Sequence, residues 1–256
     1  MMRTIMRTMT TTMAGAKRIL CLSMIHLLLV GTVLSSLSAQ QPADSFESGR
    51  GSRVEWARLK FRVTGDPAGP LGWFHHPTGD LNLIEFLRTK TDINIKEEWN
   101  IVEVGNLEHM CQFPLIFLSG LGRLVLNEQE KSNIREYILR GGFFFADDCV
   151  SKPLDGAHDI FFSSFRDTLR EVLPGIVMKR IPQDHPIFHC YFDLPEWVHV
   201  QGTDNGLWGA WYGGRMVAVF NSSDLHCGWV GWYFSEKQKS FSLKIAANIY
   251  VYAMEE

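Results

Sequence analysis

The sequence predicts an α/β fold in which helices cover both faces of a mostly parallel sheet, a three-layer sandwich. Two short runs, 114–119 and 143–146, are apolar on both faces apart from Ser119 at the end of the first, which is typical of central strands in a parallel sheet. Helical patterns follow each run at 127–140 and about 159–172. Strands that alternate with helices across short loops produce crossovers over such a sheet. The composition, 46% hydrophobic and 21% charged, excludes a disordered chain, a coiled coil and a multi-span membrane protein.

The first 39 residues have the organisation of a secretory signal peptide. Basic Lys17 and Arg18 precede an apolar run, Ile19–Leu34, and small residues follow as far as Ala39, which is the order of such signals. A retained anchor is the alternative, although the run falls short of the roughly 20 apolar residues that a membrane span needs. We therefore expect an exported protein, periplasmic or extracellular, with a linker at 40–53 and a single domain over 54–256.

Charge excludes two classes of partner. Residues 1–39 hold four cations and no acid, which leaves 21 of the 25 cations and all 28 acids to the remainder. An acidic body of this kind gives no electrostatic footprint for nucleic acid. It also lacks a basic helix for anionic lipid, so we expect no stable membrane insertion once the signal is cleaved.

The first part of the predicted domain contains two strands and a helix. Val54–Val63 alternates between apolar and polar residues, which predicts a strand, with a slip of the alternation at Ala57 and Arg58. A loop rich in glycine and proline is expected at 64–78, and Asp80 is expected to cap a short helix. Trp99–Val104 is the second predicted strand.

The clearest predicted helix lies between the two apolar runs. Asn127 is a candidate N-cap, and Glu128 and Glu130 occupy the first turn, where the helix dipole favours acids. The buried stripe is predicted at Ile134, Tyr137 and Ile138. Gly141 and Gly142 end the helix, and the second apolar run then leads to Asp147, Asp148 and Cys149.

The last third of the chain departs from this alternation. After a predicted strand at Ile176–Ile181, residues 191–233 are rich in glycine. They also contain five of the eight tryptophans, which are Trp197, Trp208, Trp211, Trp229 and Trp232. We expect an aromatic-rich β-hairpin insertion here, with Met216–Phe220 as its clearest strand, before a final helix at about 238–253.

Several of these segments together resemble a known family. They are Leu115–Gly120, Leu126–Glu130, Ile134–Cys149, Asp184–Phe188 and Asn221–Trp229. In order and spacing they are similar to the domain-of-unknown-function family numbered 4159, over residues 54 to 254. The resemblance implies a flavodoxin-like sandwich, similar to class I glutamine amidotransferase-like proteins, in mostly bacterial proteins of which some are exported. It implies no established activity, and Leu121 stands where members commonly carry histidine.

Ligands of open α/β sheets bind beyond the carboxyl ends of the strands, and polar residues follow two predicted strands at those ends. The predicted ligand-binding residues are Ser119, Gly120, Gly122, Asp147, Asp148, Asp224 and His226. Adjacent carboxylates after an apolar strand are unfavourable unless they are solvated, paired or metal-bound. The alternative is that Asp147 or Asp148 caps the following helix or accepts from loop N–H groups.

Two catalytic interpretations are open, and the sequence leaves it undecided whether the protein is an enzyme. Asp147, Asp148 and His185 are the candidate catalytic and metal-ligating residues of a hydrolase with a divalent metal; no other cofactor is evident. Cys149 follows a strand like an amidotransferase nucleophile, but it lacks the flanking glycines of a nucleophile elbow. Neighbouring carboxylates would also raise the pKa of its thiol. His75 and His76 are expected to be solvated.

Four cysteines remain after the predicted cleavage: Cys111, Cys149, Cys190 and Cys227. In an oxidising compartment they could form two disulfides in any of three connectivities, and free buried thiols are the alternative. The favoured function is a non-catalytic binding or assembly module of the cell envelope. Its partner would be an envelope protein or a glycan; a hydrolase and a carbohydrate-binding protein are the alternatives.

Overall fold

The computed structural model describes residues 53–66, 71–149, 159–231 and 233–255. All of them belong to the unit Arg50–Glu256. The predicted signal peptide and the linker up to residue 52 lie outside the described residues. Among the residues described, no helix is both long enough and apolar enough to cross a bilayer.

The fold is mixed α/β and is built on a seven-stranded, mostly parallel sheet. Its strands are β1 Val54–Lys60, β3 Ile95–Glu103, β4 Leu115–Gly120, β6 Phe143–Asp148, β7 Val177–Arg180, β8 Trp208–Tyr212 and β9 Arg215–Asn221. The order across the sheet is β3-β1-β4-β6-β9-β8-β7. The first five strands in that order, β3, β1, β4, β6 and β9, pair in parallel. Strand β8 is antiparallel to both of its neighbours, β9 and β7. A separate antiparallel pair joins β2 Arg62–Thr64 to β5 Arg123–Val125.

Two apolar cores join the helices to the sheet. The helices are α1 Pro77–Lys90, α2 Leu107–Met110, α3 Glu128–Leu139, α4 Ile160–Val172, α5 Leu225–Val230 and α6 Glu236–Glu255. Side chains alternate along a strand, so Phe143 and Phe145 enter a first core while Phe144 enters a second. Residues of α1, α5 and α6 complete the first core, and residues of α2, α3 and α4 complete the second.

Helix α3 has the predicted boundaries, because the residues that fix its two ends lie within the helix segment itself. The Asn127 carboxamide oxygen accepts from the Glu130 backbone N–H at 2.9 Å, and the Glu130 carboxylate accepts from the Asn127 N–H at 2.7 Å. This reciprocal pair is a capping box. Gly141 has φ +100°, a backbone conformation that ends the helix without the steric penalty of a side chain.

Two local predictions were wrong. The predicted β-hairpin is confirmed within residues 191–233, since β8 pairs antiparallel with β9, which contains the predicted strand Met216–Phe220. This region is not an insertion, however, because β9 also pairs in parallel with β6 and belongs to the main sheet. Part of it is helix α5, whose start is fixed by the Asp224 carboxylate accepting from the Cys227 backbone N–H at 3.2 Å. Asp80 is not an N-cap either: α1 begins at Pro77, whose fixed φ suits the first helical position, so Asp80 lies one turn inside.

Candidate functional site

A row of polar side chains crosses four neighbouring strands near their carboxyl ends. The row consists of Arg58 on β1, Ser119 on β4, Asp147 on β6 and Asn221 on β9. Each lies two residues after an apolar residue of the first core, so all four side chains face α1 and α5. All four are buried.

Arg58 and Asp80 form a fully buried ion pair at one end of this row. The Arg58 Nη1 donates to Asp80 Oδ2 at 2.7 Å, and the Trp56 indole donates to the other carboxylate oxygen at 2.8 Å. His226 Nε2 lies 3.2 Å from Asp80 Oδ2. Burial alone would raise the pKa of Asp80, but the Arg58 cation and these hydrogen bonds hold it below its ordinary value. Burial lowers the pKa of His226 to about 4, so its imidazole is neutral at pH 7.

Both predicted strand-end carboxylates bind backbone N–H groups at the start of a helix. Asp147 accepts from Leu225 at 3.1 Å and from His226 at 2.8 Å, both in the first turn of α5. Asp148 points to the opposite face and accepts from the Phe162 N–H of α4 at 2.9 Å. Burial raises the pKa of Asp148 to about 8, and burial together with the nearby Asp224 raises that of Asp147. Asp148 therefore binds the start of the helix that follows it in the chain, which was the alternative from sequence, whereas Asp147 binds the start of the distant helix α5.

A cluster of two thiols and one imidazole lies beside Asp147. Its members are Cys149 immediately after β6, Cys227 in α5 and His76 immediately before α1, and their potential ligand atoms lie within 4.8 Å of one another. Both cysteines are buried and His76 is half-buried. The hydrogen bond to Cys227 and burial raise the pKa of the Cys149 thiol. Burial lowers the pKa of His76, which favours the neutral imidazole that ligates metals.

Two residues of this region have left-handed backbone conformations that side chains rarely adopt. His76 has φ +46° and Asp224 has φ +50°. Such conformations cost about 1–3 kcal/mol and occur preferentially at functional sites. The Asp224 carboxylate accepts from the Cys227 backbone N–H and from the Gln201 side chain. These two hydrogen bonds stabilise the strained turn.

The predicted site residues fall into two groups. Ser119, Asp147, Asp224 and His226 lie together around the thiol cluster, since Ser119 pairs in register with Asp147 and Asp224 acts on the pKa of Asp147. Gly120 and Gly122 lie in tightly packed positions, and their role in ligand binding stays a prediction. A Cβ at Gly120 would approach the Phe161 ring at 3.0 Å, and one at Gly122 would meet the Thr64 carbonyl at 2.3 Å.

His185 is not brought to the acids. Its ring contacts Trp211 and Tyr252, with centroids 6.3 and 5.4 Å away. Trp211 pairs with Met216 on β9, whereas Asp147 pairs with Asn221 on the same strand. Met216 and Asn221 are five residues apart, which is about 17 Å along a strand. The three candidate residues of the hydrolase interpretation consequently do not converge.

Sequence reasoning missed Arg58 and Asp80, and it expected His76 to be solvated. The slip in strand alternation at Arg58 was the one available signal, because a charge on an apolar face requires a partner. His76 is half-buried, and its imidazole lies beside that of His226, with the ring centroids 6.2 Å apart.

The described tryptophans of the 191–233 region serve mainly in packing. Trp229 is buried, and Trp197, Trp208 and Trp211 are half-buried; Trp232 lies outside the described residues. Trp229 contacts Phe117 and Phe145, with ring centroids at 5.1 and 6.0 Å. Its position agrees with a core role.

The four predicted disulfide candidates are free thiols in the structure. The sulfurs of Cys149 and Cys227 lie within 4.8 Å of each other. Of the possible connectivities, the one that joins these two cysteines therefore stays a prediction. Cys111 ends α2 on the side of the second core, while Cys190 donates to the Asn248 carbonyl of α6 on the side of the first. The sheet therefore separates Cys111 from Cys190.

Comparison with known proteins identifies one family. The comparison with curated proteins finds no match. The family described as Domain of unknown function (DUF4159) matches residues 57–254, which is most of the chain and includes every residue of the polar row and the thiol cluster. The chain belongs to the DUF4159 family.

Proposed function

We propose that the protein is an exported binding module on a flavodoxin-like, amidotransferase-like scaffold, and that it meets its partner in the cell envelope without catalysing a reaction. The observation that carries this proposal is that Asp147 and Asp148 both bind backbone N–H groups at helix starts. Carboxylates held in this way stabilise the fold and are poorly placed to act as general bases.

The strand order supports the scaffold assignment. Numbered in chain order, the five parallel strands β3-β1-β4-β6-β9 follow the order 2-1-3-4-5, which characterises flavodoxin-like sheets. The order reverses between β1 and β4, where ligands of such folds bind. Export is supported by the signal-like order of residues 1–39.

The state of Cys149 supports a non-catalytic role. Amidotransferase-like catalysis requires an exposed thiol that ionises readily. Cys149 is 3% exposed, and its pKa is raised by the hydrogen bond to Cys227 and by burial. The hydrolase alternative has less support because His185 lies far from both acids, and the glycan alternative has less because the described tryptophans mainly pack inside.

Thiol labelling of the native protein tests this proposal. We expect iodoacetamide to modify exposed Cys111 in the folded protein and to modify Cys149 only after denaturation, because alkylation requires an accessible thiolate. Glutamine hydrolysis should be no faster with the wild-type protein than with Cys149→Ser. Faster labelling of Cys149 than of Cys111, together with glutamine hydrolysis that Cys149→Ser abolishes, would overturn the proposal.

A further inference from the structure

We propose that His76, Cys149 and Cys227 form a binding site for a soft divalent transition-metal ion, with zinc as the best match. The inference rests on the proposed function, because it names a ligand class for the same end of the sheet. The ion would be bound by one imidazole nitrogen of His76 and by the sulfurs of Cys149 and Cys227.

The donor set fits this ion in chemistry and in spacing. Zinc takes thiolate and imidazole ligands at about 2.3 and 2.0–2.1 Å, which in a tetrahedron places donor atoms about 3.6–3.8 Å apart. The three donor atoms of the cluster already lie within 4.8 Å of one another. A contraction of about 1 Å would thus close the site around an ion. Three protein ligands leave a fourth position for water or another ligand.

The ligands come from separate elements that the fold holds in place. Cys149 donates its backbone N–H to the Gly120 carbonyl at 3.0 Å. Cys227 lies in the turn of α5 that Asp147 and Asp224 anchor. The His76 carbonyl accepts from the Gly79 N–H at 2.8 Å. Ligands fixed by surrounding hydrogen bonds bind a metal with little rearrangement.

The cluster itself can supply the negative charge that a divalent ion needs. The buried Arg58 cation is already paired with Asp80. Binding would release one proton from each thiol to the solvent, so that the two thiolates neutralise the divalent ion. Arg58 also attracts the Cys149 thiolate, and its Nε and Nη2 have no hydrogen-bond partner among the described residues.

The imidazole distinguishes this site from a simple cysteine pair. A disulfide would join Cys149 and Cys227 and would give His76 no role. The half-buried His76 also provides the route by which an ion could enter, since both thiols are almost fully buried.

Cobalt titration of the full chain, reduced and stripped of metal, tests the site. We expect one Co²⁺ per chain, with the thiolate-to-cobalt charge-transfer band and the intense visible bands of tetrahedral coordination, both displaced by Zn²⁺. Cys149→Ser and Cys227→Ser should each weaken the charge-transfer band and bind more than about tenfold less tightly. His76→Gln should weaken binding but retain the thiolate band. Cys111→Ser and Cys190→Ser are matched controls and should behave as wild type.

The outcomes decide between a metal site and its alternatives. Absence of the cobalt bands in folded, reduced wild-type protein would overturn the inference, as would unchanged bands in Cys149→Ser and Cys227→Ser. A Cys149–Cys227 disulfide in the isolated protein, with no metal uptake after reduction, would also overturn it. Circular dichroism establishes folding, and His76→Gln keeps the test decisive if a cysteine variant unfolds. Glutamine hydrolysis dependent on Cys149 would instead contradict the proposed function, whether or not cobalt binds.

Discussion

The Arg58–Asp80 pair shows how much one buried residue can contribute. We expect Asp80→Asn to lower the free energy of unfolding by about 3–5 kcal/mol, because it leaves the buried Arg58 cation without its counter-ion. Urea denaturation at neutral pH measures the change. Glu103→Gln is the matched control, since the Lys60–Glu103 pair is exposed and should contribute little. Equal effects of the two substitutions would contradict a structural role for the buried pair.

The same variant has a defined pH dependence. The pKa of Asp80 is lower in the folded protein than in the unfolded chain. Its stabilising contribution is therefore fully present above the unfolded pKa of about 3.9 and is lost as the pH falls through the folded pKa. The stability difference between wild type and Asp80→Asn should be largest near pH 7 and should shrink below about pH 4. A difference that grows in acid would show that Asp80 is protonated in the folded state.

For individual residues, the sequence predicted which side chains belong to the site better than it predicted which side chains they contact. Asp147, Asp224 and His226 were predicted from their positions after apolar strands or within family-like segments, and they do lie together. Asp80 was predicted as a cap, because its partners Arg58 and His226 are 22 and 146 residues away. Sequence spacing carries no information about contacts at such separations.

At the scale of elements, the turn from α3 into β6 depends on Gly142 as well as on Gly141. A Cβ at Gly142 would lie 2.3 Å from the Tyr137 ring, whose hydroxyl donates to the Phe113 carbonyl at 2.8 Å. Gly142→Ala should therefore destabilise the protein by about 1–3 kcal/mol through overpacking, measured by thermal denaturation. Gly105→Ala is the control, because its Cβ would meet nothing within 4 Å. Similar melting temperatures for the two variants would contradict the steric argument.

The two helices α3 and α5 explain why some elements were predicted and others were not. Helix α3 has its cap, its buried stripe and its terminating glycine within a stretch of about fifteen residues, as typical helices do. Helix α5 is six residues long and, besides its N-cap Asp224, is held by Asp147, 78 residues before Leu225. An element stabilised by tertiary hydrogen bonds leaves little local pattern, so α5 was mistaken for part of a hairpin.

At the scale of the whole molecule, the two cores share one sheet and should unfold together. Phe145→Leu in the first core and Phe144→Leu in the second should each lower the free energy of unfolding by about 1–3 kcal/mol. Each variant should still unfold in a single transition. Near- and far-ultraviolet circular dichroism should report coincident curves for each variant. Two separated transitions in either variant would show that the faces of the sheet fold independently.

The parallel sheet itself was predictable, because a short strand that is apolar on both faces is stable only where helices cover both of them. The order of the strands was not predictable, since pairing depends on contacts between distant segments. The antiparallel pairing of β8 with β9 was predicted as a hairpin, whereas the pairing of β7 with β8 was not predicted.

The long separations within the site also affect the protein while it is being synthesised. Arg58 and Asp80 leave the ribosome well before His226, which lies 146 residues after Asp80. A chain that stops before α5 keeps Asp147 without its backbone donors and has only one thiol of the pair. The hydrogen bonds that join Asp80 and Asp147 to α5 can therefore form only after nearly the whole domain has been synthesised.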